Sequence, residues 1–196
     1  MSAPPPLFLF RLSALDWQIM NDFLDVTIRY LIDGSAFSWD FWLVLFIGAA
    51  FSALFIYRGR DLKRCIVIPL LLAYITMMLN LTILSREPHI AYRFNFQPFW
   101  YLESSSKTAL YYAILNYIFF VPLGFMLEAL QKKRRVWMTV LICFSFSLFI
   151  EATQLFLKLG LAEFDDIFEN TIGAFVGALL YQGIAVLARK IRAASP

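Results

Sequence analysis

Glu151, Gln154, Lys158, Glu163, Asp165, Asp166 and Asn170, side chains able to do chemistry, sit inside a largely apolar stretch, residues 147–181. Carboxyl and amide groups at that density can bind a polar ligand, hold a hard cation or move protons, and each of these requires them to converge. At about 100° per residue, Glu151, Gln154 and Lys158 form one polar stripe on a helix, and Asp166, Asn170, Gly173 and Gly177 line one face of the next. Two helices joined by a short acidic turn then present their polar ends to each other at one level. A carboxylate at membrane depth is costly unless paired or wetted, so Glu151 is by default a candidate functional group.

Each of these residues also has a plainer reading. Glu151 needs only one hydrogen bond to hold two helices together, and Gln154 and Asn116 are amides of the kind that join helices inside membranes. Lys158 either snorkels outward or neutralises a neighbouring acid. Asp166 caps a helix if it stands at its N-terminus, where free N–H groups and the dipole favour acids. Glu151, Asp165 and Asp166 would hold a divalent cation if they converged, since such ions need several oxygens. No metal is assigned on that ground, and no other cofactor is expected. Acid/base catalysis by Glu151 with Asp165 or Asp166 is chemically open. The sole histidine, His89, has no nucleophile motif beside it, which argues against a serine–histidine hydrolase. Catalysis is therefore the lesser expectation.

The elements that must position these groups are membrane helices. Of the 196 residues 61% are hydrophobic and 16% charged, where a soluble domain has about 25% charged residues. A net charge of +3 in such a chain points to no nucleic-acid partner. Cys65 and Cys143 lie in apolar segments without metal-ligand spacing and read as structural thiols. No linker or internal repeat divides the hydrophobic part, which lowers the expectation of a transporter. The first six residues carry no Lys or Arg, so no signal peptide is expected.

Residues 1–36 read as an N-terminal segment and 37–196 as one transmembrane domain. In the first, residues 7–32 keep an apolar helical period interrupted by Asp16, Asp22, Asp25 and Arg29, which predicts an interfacial amphipathic helix. Residues 33–35 then stop it. Five spans follow, at about 41–57, 65–84, 108–130, 136–157 and 167–188. Pro122 and Gly124 in the third predict a kink and a close helix contact, and Glu128 falls near its end. Gly173 and Gly177 form a G-x-x-x-G contact, with Ala174 expected on another side. The loop between the second and third spans carries the aromatic segment 93–101 and is expected in the headgroup layer.

Basic clusters follow the first, third and fifth spans: Arg58, Arg60, Lys63 and Arg64; Lys132, Lys133, Arg134 and Arg135; Arg189, Lys190 and Arg192. Alternating spans place all three on one side, which the positive-inside rule makes cytoplasmic. The N-terminus is then outside and the C-terminus cytoplasmic. Asn116 would lie about 12 Å, Glu151 about 9 Å and Asn170 about 4 Å below the outer helix ends.

Five segments together resemble one family, the VanZ-like membrane proteins: Leu81-Thr82-Ile83-Leu84; Asn95-Phe96-Gln97-Pro98-Phe99; Asn116 through Phe125; Ser147 through Glu151 with Gln154; and Gly160 through Asp166 followed by Asn170-Thr171-Ile172-Gly173. The resemblance covers about residues 81–183. It implies a multi-pass protein of the bacterial plasma membrane whose best-known relative lowers susceptibility to teicoplanin-like antibiotics without an established enzymatic activity. Some members carry an arginine before the acidic turn, where Lys158 is the nearest basic residue here.

The expectation is thus an all-α polytopic membrane protein of about five transmembrane helices plus an N-terminal interfacial helix. Its polar site would comprise Asn95, Asn116, Glu151, Gln154, Lys158, Glu163, Asp165, Asp166 and Asn170. Facing outward among membrane lipids, it would bind a cell-envelope component such as a lipid-linked cell-wall headgroup or a glycopeptide. A membrane enzyme on lipid-linked substrates and a purely structural protein are the alternatives.

Overall fold

The computed structural model describes residues 14–33, 37–58, 61–88, 92–103, 107–133 and 135–194. The readings made of His89, of the stop at residues 34–35, of residues 1–13 and of Arg60 and Arg134 lie outside them.

The described chain is helical apart from one pair of three-residue strands. In order come α1 (Ala14–Asp33), α2 (Trp39–Tyr57), α3 (Leu62–Leu79), a π-helical turn (Asn80–Leu84), β1 (Arg93–Asn95), α4 (Trp100–Glu103), α5 (Lys107–Leu130), α6 (Val136–Leu157), β2 (Leu161–Glu163) and α7 (Phe164–Ala194). Four helices are long and apolar enough to cross a membrane: α3 with its π turn, α5, α6 and α7. The described apolar stretch of α2, Trp39–Leu54, is shorter than these four. α1 sets the Phe23 ring edge-on against Tyr111 of α5 at 5.7 Å and leaves Ile19, Met20, Leu24 and Ile28 exposed, the apolar face an interfacial helix needs.

Contacts fix the direction of every long helix. Asn80, at the end of α3, donates to Ser38 (2.8 Å) and Asp40 (2.9 Å) at the start of α2. Lys63, at the start of α3, bonds the Tyr181 hydroxyl in the second half of α7 at 3.1 Å. The described basic residues 58, 63, 64, 132, 133, 135, 189, 190 and 192 therefore gather at one end of the bundle, and the acidic turn at the other.

The tightest seam runs between α5 and α7. A Cβ added at Gly173 would run into the Tyr117 carbonyl, one at Gly177 into the Val121 carbonyl, and one at Gly124 into the backbone of Ala174. Small residues permit this approach, and without water between helices such packing is what joins them. Ala174 corrects the expectation that it points elsewhere: it is fully buried and faces Gly124, while Phe175 and Val176 take the exposed side. At so close an approach two adjacent positions of one helix meet the same partner. Pro122 is exposed, so the contact rests on Gly124 and not on the proline.

Candidate functional site

Four helix ends and the strand pair build the site, starting with the π turn. Its wider winding bonds Ser85 N–H to Asn80 O at 3.1 Å and leaves two carbonyls for side chains. Leu81 O accepts from Arg86 Nε at 3.4 Å, and Thr82 O from Gln154 Nε2 of α6 at 3.1 Å. π turns recur at functional sites because they re-aim backbone groups in this way. Gly160 makes room for the same arginine, since an added Cβ there would lie 2.7 Å from Arg86 Nη1.

α6 ends at Lys158, which is left-handed at φ 58°. That reversal sends the chain back into β2, which pairs in parallel with β1 (Arg93 with Leu161, Phe94 with Ala162, Asn95 with Glu163). Glu151 Oε2 accepts the Glu163 N–H at 3.0 Å, so a buried carboxylate anchors the strand. The reversal also takes Lys158 off the expected stripe. Its ammonium lies 4.6 Å from the centre of the Tyr92 ring, a cation–π contact. The guanidinium that faces Glu151 and Asp166 electrostatically belongs to Arg86 instead.

The aromatic loop is folded down onto the acids. Trp100 Nε1 donates to Glu163 Oε1 at 2.5 Å, and Asn95 Nδ2 to the same oxygen at 3.4 Å. Phe99 stands at φ 55° with its N–H on Asp165 Oδ2 at 2.7 Å. Such a backbone costs about 1–3 kcal/mol in a residue with a side chain, and this charge-assisted bond helps hold it there. From α5, Asn116 Nδ2 donates to Asp166 Oδ1 (2.7 Å) and to Glu169 Oε2 (3.1 Å). Asp166 thus points across to α5, and its carboxylate is not an N-cap. Asn170 Nδ2 reaches Ser147 Oγ of α6 at 2.9 Å.

Two adjoining cavities result. The outer one, about 500 Å³, is lined by Arg86, Trp100, Tyr101, Tyr112, Asn116, Glu163, Asp165, Asp166 and Glu169 among others. The inner one, about 40 Å³, is lined in part by Thr82, Glu151, Gln154 and Asn170, and shares Arg86, Asn116 and Asp166 with the outer. Burial pushes the Glu163 carboxyl above its ordinary 4.5, against the bonds from Trp100 and Asn95. Burial, then the Glu169 carboxylate beside it, raises the Tyr101 phenol. Among the described residues no group of three or more His, Cys, Asp and Glu is placed to hold a metal ion. The arrangement offers many acceptor oxygens and one guanidinium in a partly dry space, the equipment for gripping a polar group rich in donors.

The structure therefore brings together Asn116, Glu151, Gln154, Glu163, Asp165, Asp166 and Asn170, with Asn95 supporting Glu163, and leaves Lys158 aside. Sequence reasoning missed Arg86, Glu169, Trp100 and Tyr101. Glu169 follows Asp166 by three positions, a helical spacing that would have found it had the helix been started at Phe164. No such signal marks Arg86, which is far from its partners in sequence.

No curated protein and no solved structure matches the chain. A model of the VanZ/LLP1 family matches residues 65–187, from the start of α3 to late in α7, a wider span than the resemblance at 81–183. That is more than half of the sequence, and this membrane protein accordingly belongs to the VanZ/LLP1 family.

Proposed function

We propose that the paired cavities bind a cell-envelope headgroup, lipid-linked or from the cell wall, at the outer face of a bacterial plasma membrane, and that this binding lowers susceptibility to teicoplanin-like glycopeptides. One observation carries the reading: a cavity of about 500 Å³ holding the side chains of Glu163, Asp165, Asp166 and Glu169 sits at the helix ends of an otherwise apolar bundle. That is the level at which a lipid-linked headgroup lies. The basic residues at the opposite end support the outward orientation through the positive-inside rule. The glycopeptide link comes from the family.

The orientation is tested with single cysteines in a background lacking Cys65 and Cys143. Glu87→Cys, at the cavity end, should react with an impermeant thiol reagent applied to intact cells, and Lys132→Cys should not; the reverse pattern removes the outward site. Function is tested with Glu151→Gln and Asp166→Asn, which preserve shape while removing charge. Both should accumulate normally in the membrane and lose glycopeptide tolerance. Full tolerance in both would leave the cavity with a structural role only. A second reading, a membrane enzyme on lipid-linked substrates, is favoured by the Glu151 and Asp166 carboxyls lining one small cavity, since paired carboxyls are used in acid/base chemistry. Turnover of a lipid-linked substrate by purified protein, lost in Glu151→Gln, would select it.

A further inference from the structure

The acids of the outer cavity are not equivalent. Glu163, Asp165 and Asp166 each have an oxygen bonded by a donor of the protein, from Trp100, Phe99 and Asn116 respectively. Glu169 is fully buried and takes the Asn116 amide on Oε2, with the Tyr101 phenol beside the carboxyl. Its other oxygen, Oε1, is buried with no donor among the described residues. A buried acceptor left without a donor is expensive, and Glu169 lines the cavity. The missing donor is supplied by whatever occupies the space. Asn170 Oδ1 is in the same condition beside the inner cavity.

Charge narrows the occupant. Four carboxylates line the outer cavity, and Arg86 is the one cationic side chain among its described lining residues. A purely anionic group would meet repulsion there. A polyol would satisfy Oε1 and leave the charge uncompensated. A metal ion would compensate the charge, but among the described residues no set of ligands is placed to hold one. An organic ammonium does both, and the same wall contains Trp100 and Tyr101, aromatic residues of the kind that attract cations. Arg86 stands where the two cavities meet, facing the carboxyls of Glu151 and Asp166, with only Nε hydrogen-bonded among the described residues, to a carbonyl. A guanidinium placed there suits a phosphate or carboxylate.

We infer that the headgroup taken by the cavity is zwitterionic, with a primary ammonium seated on Glu169 Oε1 and an adjacent anionic group on Arg86. This rests on the reading of the cavity as an envelope headgroup site and specifies its ligand class. The same chemistry is found in a free phosphoethanolamine-type compound and in an ethanolamine lipid.

The test uses the full chain purified in detergent, titrated calorimetrically with O-phosphoethanolamine and with its N-acetyl derivative, which keeps the anion and loses the ammonium. O-phosphoethanolamine should bind, and the N-acetyl compound should bind about tenfold more weakly or worse, a difference of one buried charged contact. Glu169→Gln should abolish that preference, and Arg86→Gln should weaken both probes. Equal binding of the two probes to the unmodified protein, or binding of neither, overturns the inference without recourse to any variant. Reconstitution in phosphatidylethanolamine or phosphatidylglycerol nanodiscs then assigns the source. Higher thermal stability in the former assigns the ammonium to a lipid, and no difference, with soluble binding intact, assigns it to a soluble compound. If Glu151→Gln and Asp166→Asn lose tolerance but O-phosphoethanolamine does not bind, the headgroup site stands and the ammonium falls. If those variants keep tolerance, the headgroup reading falls whatever the titration gives.

Discussion

Among the described residues two glutamates are wholly buried, Glu128 and Glu169, and they are provided for in opposite ways. Glu128, toward the basic end, accepts from Thr139 Oγ1 of α6 at 2.6 Å and Gln131 Nε2 at 3.2 Å on one oxygen, and from Gln182 Nε2 of α7 at 2.9 Å on the other. Glu169, toward the acidic end, has Asn116 on one oxygen and the Tyr101 phenol beside the carboxyl, and its other oxygen makes no hydrogen bond among the described residues. Depth in the bundle therefore does not mark a functional acid. A carboxylate whose two oxygens are filled by donors from α6, from α7 and from the residue just past α5 is a clasp, and such networks rigidify what they join. A carboxylate that lines a cavity and lacks a donor is a place for something else.

Removing the clasp should have the largest effect on stability. Glu128→Leu would leave the fully buried Thr139 hydroxyl without its acceptor and take one acceptor each from the half-buried amides of Gln131 and Gln182, a loss of about 3 kcal/mol. Thermal unfolding in detergent should show it as a clear drop in midpoint, with Glu128→Gln in between. An unchanged midpoint for Glu128→Leu would erase the distinction between the two ends.

The seam that holds both ends in register comes next. Leucine at Gly173, Gly177 or Ala174 should each destabilise by about 1–3 kcal/mol or prevent accumulation, because overpacking here meets backbone. Val176→Leu, on the exposed side, should be tolerated in the same expression assay. Tolerance at Ala174 as well would mean that α5 and α7 stand further apart than the glycine contacts require.

Glu169→Gln should be the counterpart of Glu128→Leu. It keeps an acceptor for Asn116, and its other terminal group becomes a donor in a cavity rich in acceptors, so stability should change by within about 1 kcal/mol. Glycopeptide tolerance should nevertheless be lost. A variant that unfolds like Glu128→Leu would make Glu169 a second clasp and remove the contrast.

How much of this was legible in the sequence depends on the range of the interactions. The helices, the gathering of basic residues at one end and the meeting of Asn116, Glu151, Asp166 and Asn170 follow from local periodicity, because acids and amides in apolar helices have few places to go. The π turn is not legible, since Asn80–Leu84 carries no Gly or Pro to mark a change of winding. Neither is the strand pair: three residues on each side carry too short an alternation to register, and the partners are far apart in the chain. Arg86 depends on both, through the Leu81 carbonyl and the gap at Gly160, so it was invisible where Lys158 was not. Lys158 in turn was misplaced by one residue's backbone, the left-handed turn that ends α6.

The smallest expected effect is a pH dependence confined to the acidic end. Burial holds the Glu163 carboxyl above its ordinary 4.5 in the folded protein, so the folded state binds that proton more tightly than the unfolded chain does. The contribution of Glu163 to stability is then greatest below 4.5 and declines as the pH rises through the folded value. Glu163→Gln should flatten this part of the profile. Both Trp100 Nε1 and Asn95 Nδ2 donate to Oε1, and an amide oxygen can still accept from them, so the variant should fold with its loop in place. Unfolding midpoints measured from pH 4 upward should converge between wild type and variant at low pH and separate as Glu163 ionises, with the variant the more stable. The indole that bonds Glu163 reports the same event, as a pH-dependent fluorescence change absent from Trp100→Phe and from Glu163→Gln. Parallel profiles for wild type and Glu163→Gln would show that this carboxyl is as well provided for as Glu128, and the acidic end would lose one of the features that sets it apart.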